Sequence, residues 1–287
     1  MIVRIEDPSD DRVADYVRLT DPDLRRLREQ GHGEGGFFIA EGALVIRTLL
    51  TDSPYGRAVR SVLVTPLRFE ALADALATLD DDVPVFVADQ SVVNEVSGFP
   101  LHRGALASVH RPLLPSVEAL CSAASLVVMT EGINDHENVG ALFRNSAAFG
   151  VDAVVLDPTS CDPLYRRSVR VSMGHVLRVP FARPAIDSVA GVQLLQALGF
   201  VMLALTPSSD ADDVQSLRGA GGRRGLVVGA EGPGLSDGVL AACDRRVRIP
   251  MAGGVDSLNV ATAAAIALHQ LADGPPERVG RRRSRSR

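Results

Sequence analysis

Apolar and polar positions along this chain follow two periods in alternation. Short runs rich in Val, Ile, Phe and Ala at 37–40, 61–65, 83–88 and 105–110 are bounded by Gly, Pro or Asp. Runs of that length and composition predict strands. Between them, 42–50, 67–79 and 91–96 carry apolar residues at helical spacing. The opening reads as two short helices. The second starts at Asp21-Pro22, a cap followed by proline at the first helical position, and ends at Gly31 before a glycine-rich loop over 31–36. Two prolines in Arg111-Pro112-Leu113-Leu114-Pro115 exclude a regular element and mark a boundary. Alternation then resumes, with strands expected at 125–129, 153–156, 176–180, 200–205, 225–229 and 247–249. Helices are expected at 139–149, 186–198, 237–243 and 258–271. Leu126-Val127-Val128-Met129 is apolar on both faces, as a parallel strand covered on both sides must be. From residue 274 the chain is polar and low in complexity, which predicts a disordered tail.

The organisation is therefore α/β, with residues 1–110 as a first domain, 111–119 as a linker, 120–273 as a second domain and 274–287 as a basic tail. A length of 287 residues with 46% hydrophobic content supports two cores of ordinary size. Aromatic content of 4% and the absence of Trp argue against base stacking as a main binding mode. All 30 basic residues are Arg, so any phosphate contact falls to Arg, backbone N–H groups or polar side chains. The net charge is −5, but residues 274–287 hold six Arg and one Glu, a local +5 that leaves −10 on the rest. Such a tail either solubilises the chain or adds non-specific phosphate affinity. Three cysteines without a Cys-x-x-Cys pair, and six scattered histidines, exclude a disulfide framework and give no metal signature. The first residues lack a signal-peptide pattern and no apolar run reaches membrane-span length, so a cytoplasmic protein without membrane attachment is expected.

Three segments carry chemistry. In the last, Ile249-Pro250-Met251-Ala252-Gly253-Gly254-Val255-Asp256-Ser257-Leu258-Asn259, a strand turns at a double glycine and a Ser-x-Asn pair stands at the mouth of an apolar helix. One polar residue suffices as a cap, so the pair points to a site, although both residues can serve as capping groups. The middle segment, Gly229-Ala230-Glu231-Gly232-Pro233-Gly234, follows an apolar strand. Its Gly-x-x-Gly-x-Gly spacing and late position disfavour a dinucleotide-binding fingerprint and an oxidoreductase. A plain tight turn is the bland alternative. The first segment, Asn138-Val139-Gly140-Ala141-Leu142-Phe143-Arg144, places Asn138 near a helix start, where it either caps or binds. Arg144 within it is either solvent-facing or functional.

These segments, in this order, resemble the motifs of the SpoU/TrmH family of RNA ribose 2′-O-methyltransferases in the SPOUT superfamily. The resemblance covers about residues 120–272, and 37–42 more weakly resembles a ribosomal-protein-like substrate-binding domain. It implies a C-terminal parallel-sheet domain tied in a trefoil knot, a homodimer, and S-adenosylmethionine as cofactor, with rRNA or tRNA as partner and no metal. Carried over, Asn138, Arg144, Glu231, Ser257 and Asn259 are catalytic. Gly229, Ala230, Glu231, Gly232, Gly234, Ile249, Met251, Ser257, Leu258 and Asn259 bind the cofactor. Arg166, Arg167 and Arg170 match an Arg-x-Ser-x-Gly segment and join Arg144 in contacting RNA, or else form a solvated helix face. The rival is a non-catalytic RNA-binding protein retaining the fold, which has no need of all the matched polar residues.

The tail gives the first prediction. Removing residues 275–287 weakens RNA binding at low salt and flattens its salt dependence, because mobile arginines release counterions on contact. The single-turnover rate at saturating RNA stays the same. Filter binding across a salt series checks it, and an unchanged slope assigns the tail to solubility alone.

Overall fold

The apolar runs pair into two sheets in the computed structural model of the chain, which describes residues 1–20, 36–101, 104–219, 221–253, 255 and 257–272. The expected helix from Asp21 to Gly31, most of the glycine-rich loop, Gly254, Asp256 and the tail lie outside these residues. The first sheet contains β1 (Ile2–Ile5), β2 (Phe37–Glu41), β3 (Val59–Val64), β4 (Val85–Ala88) and β5 (Ala105–His110) in the order β1-β4-β3-β5-β2. β1, β4 and β3 run parallel, and β5 runs antiparallel to both β3 and β2. Helices α1 (Ala43–Asp52), α2 (Pro66–Ala71), α3 (Ala73–Leu76) and α4 (Gln90–Ser97) connect these strands. A short helix α5 (Val117–Cys121), capped by Ser116, leads to the second sheet.

That sheet is wholly parallel. Its strands are β6 (Leu126–Glu131), β7 (Ala153–Leu156), β8 (Phe181–Ala182), β9 (Val201–Leu205), β10 (Asp212–Asp213), β11 (Arg224–Gly229) and β12 (Arg245–Arg248), in the order β10-β12-β9-β11-β6-β7-β8. Helices α6 (His136–Ala148), α7 (Arg166–Val171), α8 (Ser188–Ala197), α9 (Asp237–Ala242) and α10 (Val260–Leu271) accompany it. The period-2 rule holds along β6. Leu126 and Val128 join one core with Phe143 and Leu268, while Val127 and Met129 join another with Leu195 and Val239. Burial on both faces explains why β6 reads as an unbroken apolar run.

The first of these cores continues into the first sheet through Phe38, Val45 and Leu49, which pack with Val169, Val176 and Leu177. Charged groups reinforce the seam. Glu41 is buried at the end of β2, and its carboxylate accepts from Arg166 and, at 3.5 Å, from Arg170 of α7. Arg111, buried just past β5, donates to Asp162 at 2.5 Å. The proline-containing segment after β5 is thus anchored at its first residue.

Three expected elements differ, the simplest being the helix expected at 67–79, which is broken at Leu72 into α2 and α3. The opening is β1 followed by a 3₁₀ turn at Asp11–Tyr16, in place of the first of the two expected helices. Ile2-Val3-Arg4-Ile5 is too short for a helical period to show and, with three of its four residues β-branched, pairs with β4. The expected strand at 176–180 is a 3₁₀ turn at His175–Leu177, with the strand displaced to β8. Gly174, at φ +87°, turns the chain there and Pro180 offers no N–H to a ladder. The two residues that suggested a strand, Val176 and Leu177, are buried without belonging to a sheet.

Gly140 sets how closely α6 and α7 approach. A Cβ there would lie 2.7 Å from the Ser168 carbonyl oxygen and 2.9 Å from Val171 Cβ. Gly140→Ala must therefore push α7 away, at a cost of about 1–3 kcal/mol. Thermal unfolding should show the melting temperature lowered by several degrees. An unchanged value would mean that α7 shifts freely.

Candidate functional site

A cleft of about 450 Å³ opens at the carboxyl ends of β9, β11 and β12, where ligands of open parallel sheets collect. Leu205, Val228, Ile249, Met251 and Leu258 give it apolar walls, and the turn after β11 forms its rim. The turn doubles back on the strand end: a Cβ on Gly229 would lie 2.4 Å from the carbonyl carbon of Gly234. Gly234 N–H closes it on the Ala230 carbonyl at 3.0 Å. Gly232 and Gly234 have open space around them but φ of +89° and +72°, so backbone angle rather than room selects glycine there. The residues expected to bind the cofactor, Gly229, Ala230, Glu231, Gly232, Gly234, Ile249, Met251, Ser257, Leu258 and Asn259, are brought together in the lining of this cleft. Thr206 and Pro207, beyond β9, line it too and were missed. Their only signal is a polar residue and a proline ending an apolar run.

One side chain joins the three segments beside this cleft. Asn259 caps α10, its Oδ1 accepting from Thr262 N–H at 3.1 Å. Its Nδ2 donates to Asn138 Oδ1 at 2.8 Å and to Glu231 Oε1 at 2.7 Å. Asn138 is free for this role because Asp135 caps α6, its Oδ1 accepting from Glu137 N–H at 2.5 Å and Asn138 N–H at 3.2 Å. Asn145, which shares a helical face with Asn138, donates to the Ala261 carbonyl at 2.7 Å and holds α6 against α10. Ser257 is exposed at the cleft and makes no hydrogen bond within the described residues.

Arg144 stands apart from this junction. It is exposed on another face of α6, with no hydrogen bond or ion pair among the described residues. It lies near enough to His175 to act on it. Burial, then the charges of Arg178 and Arg144, hold that imidazole's pKa below its usual value, against the pull of Asp52. Arg166, Arg167 and Arg170 are held by carboxylates of the same chain. Arg166 and Arg170 bind Glu41, Arg166 also stacks 4.7 Å over the Phe99 ring, and Arg167 donates to Glu137 at 2.6 Å. Among the described residues no group of His, Cys, Asp and Glu could hold a metal ion, and no helix is long and apolar enough to cross a membrane.

This architecture is found in known proteins. The structure aligns with the AdoMet-bound rRNA methyltransferase of Sinorhizobium meliloti at a TM-score of 0.76 and 21% identity, over 94% of this chain and 97% of that one. An uncharacterized tRNA/rRNA methyltransferase of Mycobacterium bovis is 43% identical over 271 residues, spanning 92% of this chain and 89% of the relative. The 23S rRNA (guanosine-2′-O-)-methyltransferase RlmB of Salmonella typhi is 30% identical over 194 residues, spanning 66% of this chain and 78% of the relative. The sequence model of the SpoU rRNA Methylase family matches residues 125–269, the stretch that holds the cleft and its junction, and the chain belongs to that family.

Proposed function

We propose that this protein is an RNA methyltransferase that transfers a methyl group from S-adenosylmethionine to a ribose 2′-hydroxyl of rRNA or tRNA. The observation that carries the reading is the Asn259 junction, which fastens three separate polar segments around one mouth of a mostly apolar cleft. A cleft of about 450 Å³ falls in the range of small-molecule sites. Its apolar walls suit an adenosine and a methionine chain, and the backbone groups of the turn at 230–234 suit an adenine edge. The AdoMet named with the Sinorhizobium structure supports the cofactor. The guanosine-2′-O name of the Salmonella relative supports the ribose as target. By the family resemblance, the parallel sheet is closed by a trefoil knot, two copies pair, residues 1–110 recognise RNA, and the enzyme works in the cytoplasm without a metal.

S-adenosylmethionine supplies a methyl carbon activated on a sulfonium. The residues of the chain must then align the attacking oxygen with that carbon and ease loss of its proton. Gly229, Ala230, Gly232 and Gly234, with Ile249, Met251 and Leu258, hold the cofactor. Ser257, whose hydroxyl has no hydrogen-bond partner among the described residues, and Asn259 orient the ribose. Asn138 and Glu231 fix the Asn259 carboxamide through the bonds described above. Arg144 stays protonated and so is no general base. It grips a neighbouring phosphate and stabilises the developing alkoxide. The proton leaves through Glu231, whose Oε2 accepts no hydrogen bond among the described residues, through water or through phosphate. Arg166, Arg167 and Arg170 reach RNA only by sharing or releasing Glu41 and Glu137, so their first task is to hold α7.

Calorimetry should find one S-adenosylmethionine site per chain, and no saturation at millimolar ligand removes the catalytic reading in favour of an RNA-binding one. Arg144→Lys keeps the charge but loses the planar fork. It should slow single-turnover methylation about a hundredfold while cofactor binding persists, and a near-wild-type rate would contradict the role of Arg144. Asn259→Asp retains the acceptor that caps α10 but sets a carboxylate against Glu231. Cofactor affinity should drop at least about tenfold with helical content preserved, as expected for losing hydrogen bonds to a charged partner. Calorimetry and circular dichroism together read that outcome.

A further inference from the structure

The cofactor turn has little behind it. A second, open cleft of about 740 Å³ lies near the carboxyl ends of β6 and β7, lined among others by Glu131, Asp157, Gln193 and Ser236. The segment from Gly229 to Ser236 therefore runs between two clefts, and Gly232, Pro233 and Gly234 are all exposed. Of the residues from Glu231 to Ser236, Leu235 is the buried one. Leu235 and the Gly234–Ala230 bond give the segment a local hold, and polar tethers place its exposed remainder. One is the bond from Asn259 to Glu231 at the near end.

The other is Glu131, the last residue of β6, whose Cα is in register with Gly229. One carboxylate oxygen, Oε2, accepts from Ser236 N–H at 2.9 Å, and Oε1 accepts from the Ser236 hydroxyl at 2.8 Å. Only a side chain with two acceptor atoms in one plane takes both donors at once. The same serine caps α9, its Oγ accepting from Val239 N–H at 3.3 Å. Behind Glu131 the strand end is itself held, since Gly132 N–H donates to Asp157 Oδ1 at 3.0 Å. The far end of the turn is thereby referred to the centre of the sheet.

We propose that Glu131 is a positioning residue for the cofactor: by clamping Ser236 it keeps the turn at 230–234 from leaning into the second cleft and so holds the first cleft at binding width. The assignment rests on reading the first cleft as the S-adenosylmethionine site. Its consequence is a KM effect, because Glu131 acts on the wall of the site and not on the reacting atoms.

The test uses the full chain carrying Glu131→Ala or Glu131→Gln, with hydrogen exchange over 230–236, calorimetry with S-adenosylmethionine, and thermal unfolding. In the Ala variant the Ser236 amide should exchange faster and cofactor affinity should fall about tenfold, the scale of a hydrogen bond to a charged group. Methylation kinetics should place the loss in the apparent KM for the cofactor rather than in kcat. Gln accepts from Ser236 N–H and donates to its hydroxyl oxygen, so it should recover most of the affinity. An Ala variant with wild-type affinity overturns the proposal, whether or not its melting temperature falls. An equal loss in Ala and Gln also overturns it, since charge rather than the clamp would then be at work. If the wild-type chain binds no S-adenosylmethionine, the cofactor reading itself fails, and the exchange rate of Ser236 decides the clamp by itself.

Discussion

The carboxamide of Asn259 is the interaction on which the site depends. Asparagine offers two N–H donors and one carbonyl acceptor in a single plane. Here the carbonyl is used on the first turn of α10 and the amide on Asn138 and Glu231. Segments from three parts of the chain thus meet in one group of atoms. Neither aspartate, which lacks the donors, nor serine, which lacks the reach, can replace it. The bond to Glu231 matters most because the turn it holds is exposed, and a charged acceptor strengthens a hydrogen bond.

Charge performs a second structural task between the two sheets. Glu41 is buried with Arg166 and Arg170 converging on it, and Arg111 is buried against Asp162. Ionic groups withdrawn from water gain little net stability, but removing one partner strands the other. Such pairs therefore fix the relative placement of β2 and α7 more than they strengthen it. Because α7 also lies directly on Gly140, the placement is passed to α6, the helix that carries Asn138 and Arg144.

Much of the cleft was legible because its requirements are local. Glycines at 229, 232 and 234 answer to a close approach or to positive φ, and a Ser-x-Asn pair at a helix mouth exceeds what capping needs. The parallel sheet was legible from apolar runs without alternation. What could not be read depends on neighbours distant in sequence. Asn138 looks like a cap until Asp135 is seen to occupy that position. The basic run at 166–170 looks solvated or RNA-facing until Glu41, 125 residues away, is placed against it. Val176 and Leu177 look like a strand because burial, not pairing, sets their composition. Glu131 and Ser236, 105 residues apart, carry no local signal of each other.

The Asn259–Asn138 bond spans 121 residues, whereas the Asn259–Glu231 bond spans 28. During synthesis α6 emerges long before the residue that completes its surroundings. Until α10 is made and docked, the Asn138 side-chain oxygen lacks the Asn259 amide and the turn at 230–234 lacks its near tether. Contacts of such separation cost loop-closure entropy before they return anything, and they slow folding. The strands of the second sheet all precede Asn259 in the chain, so the residue that joins the site is synthesised after every strand it serves.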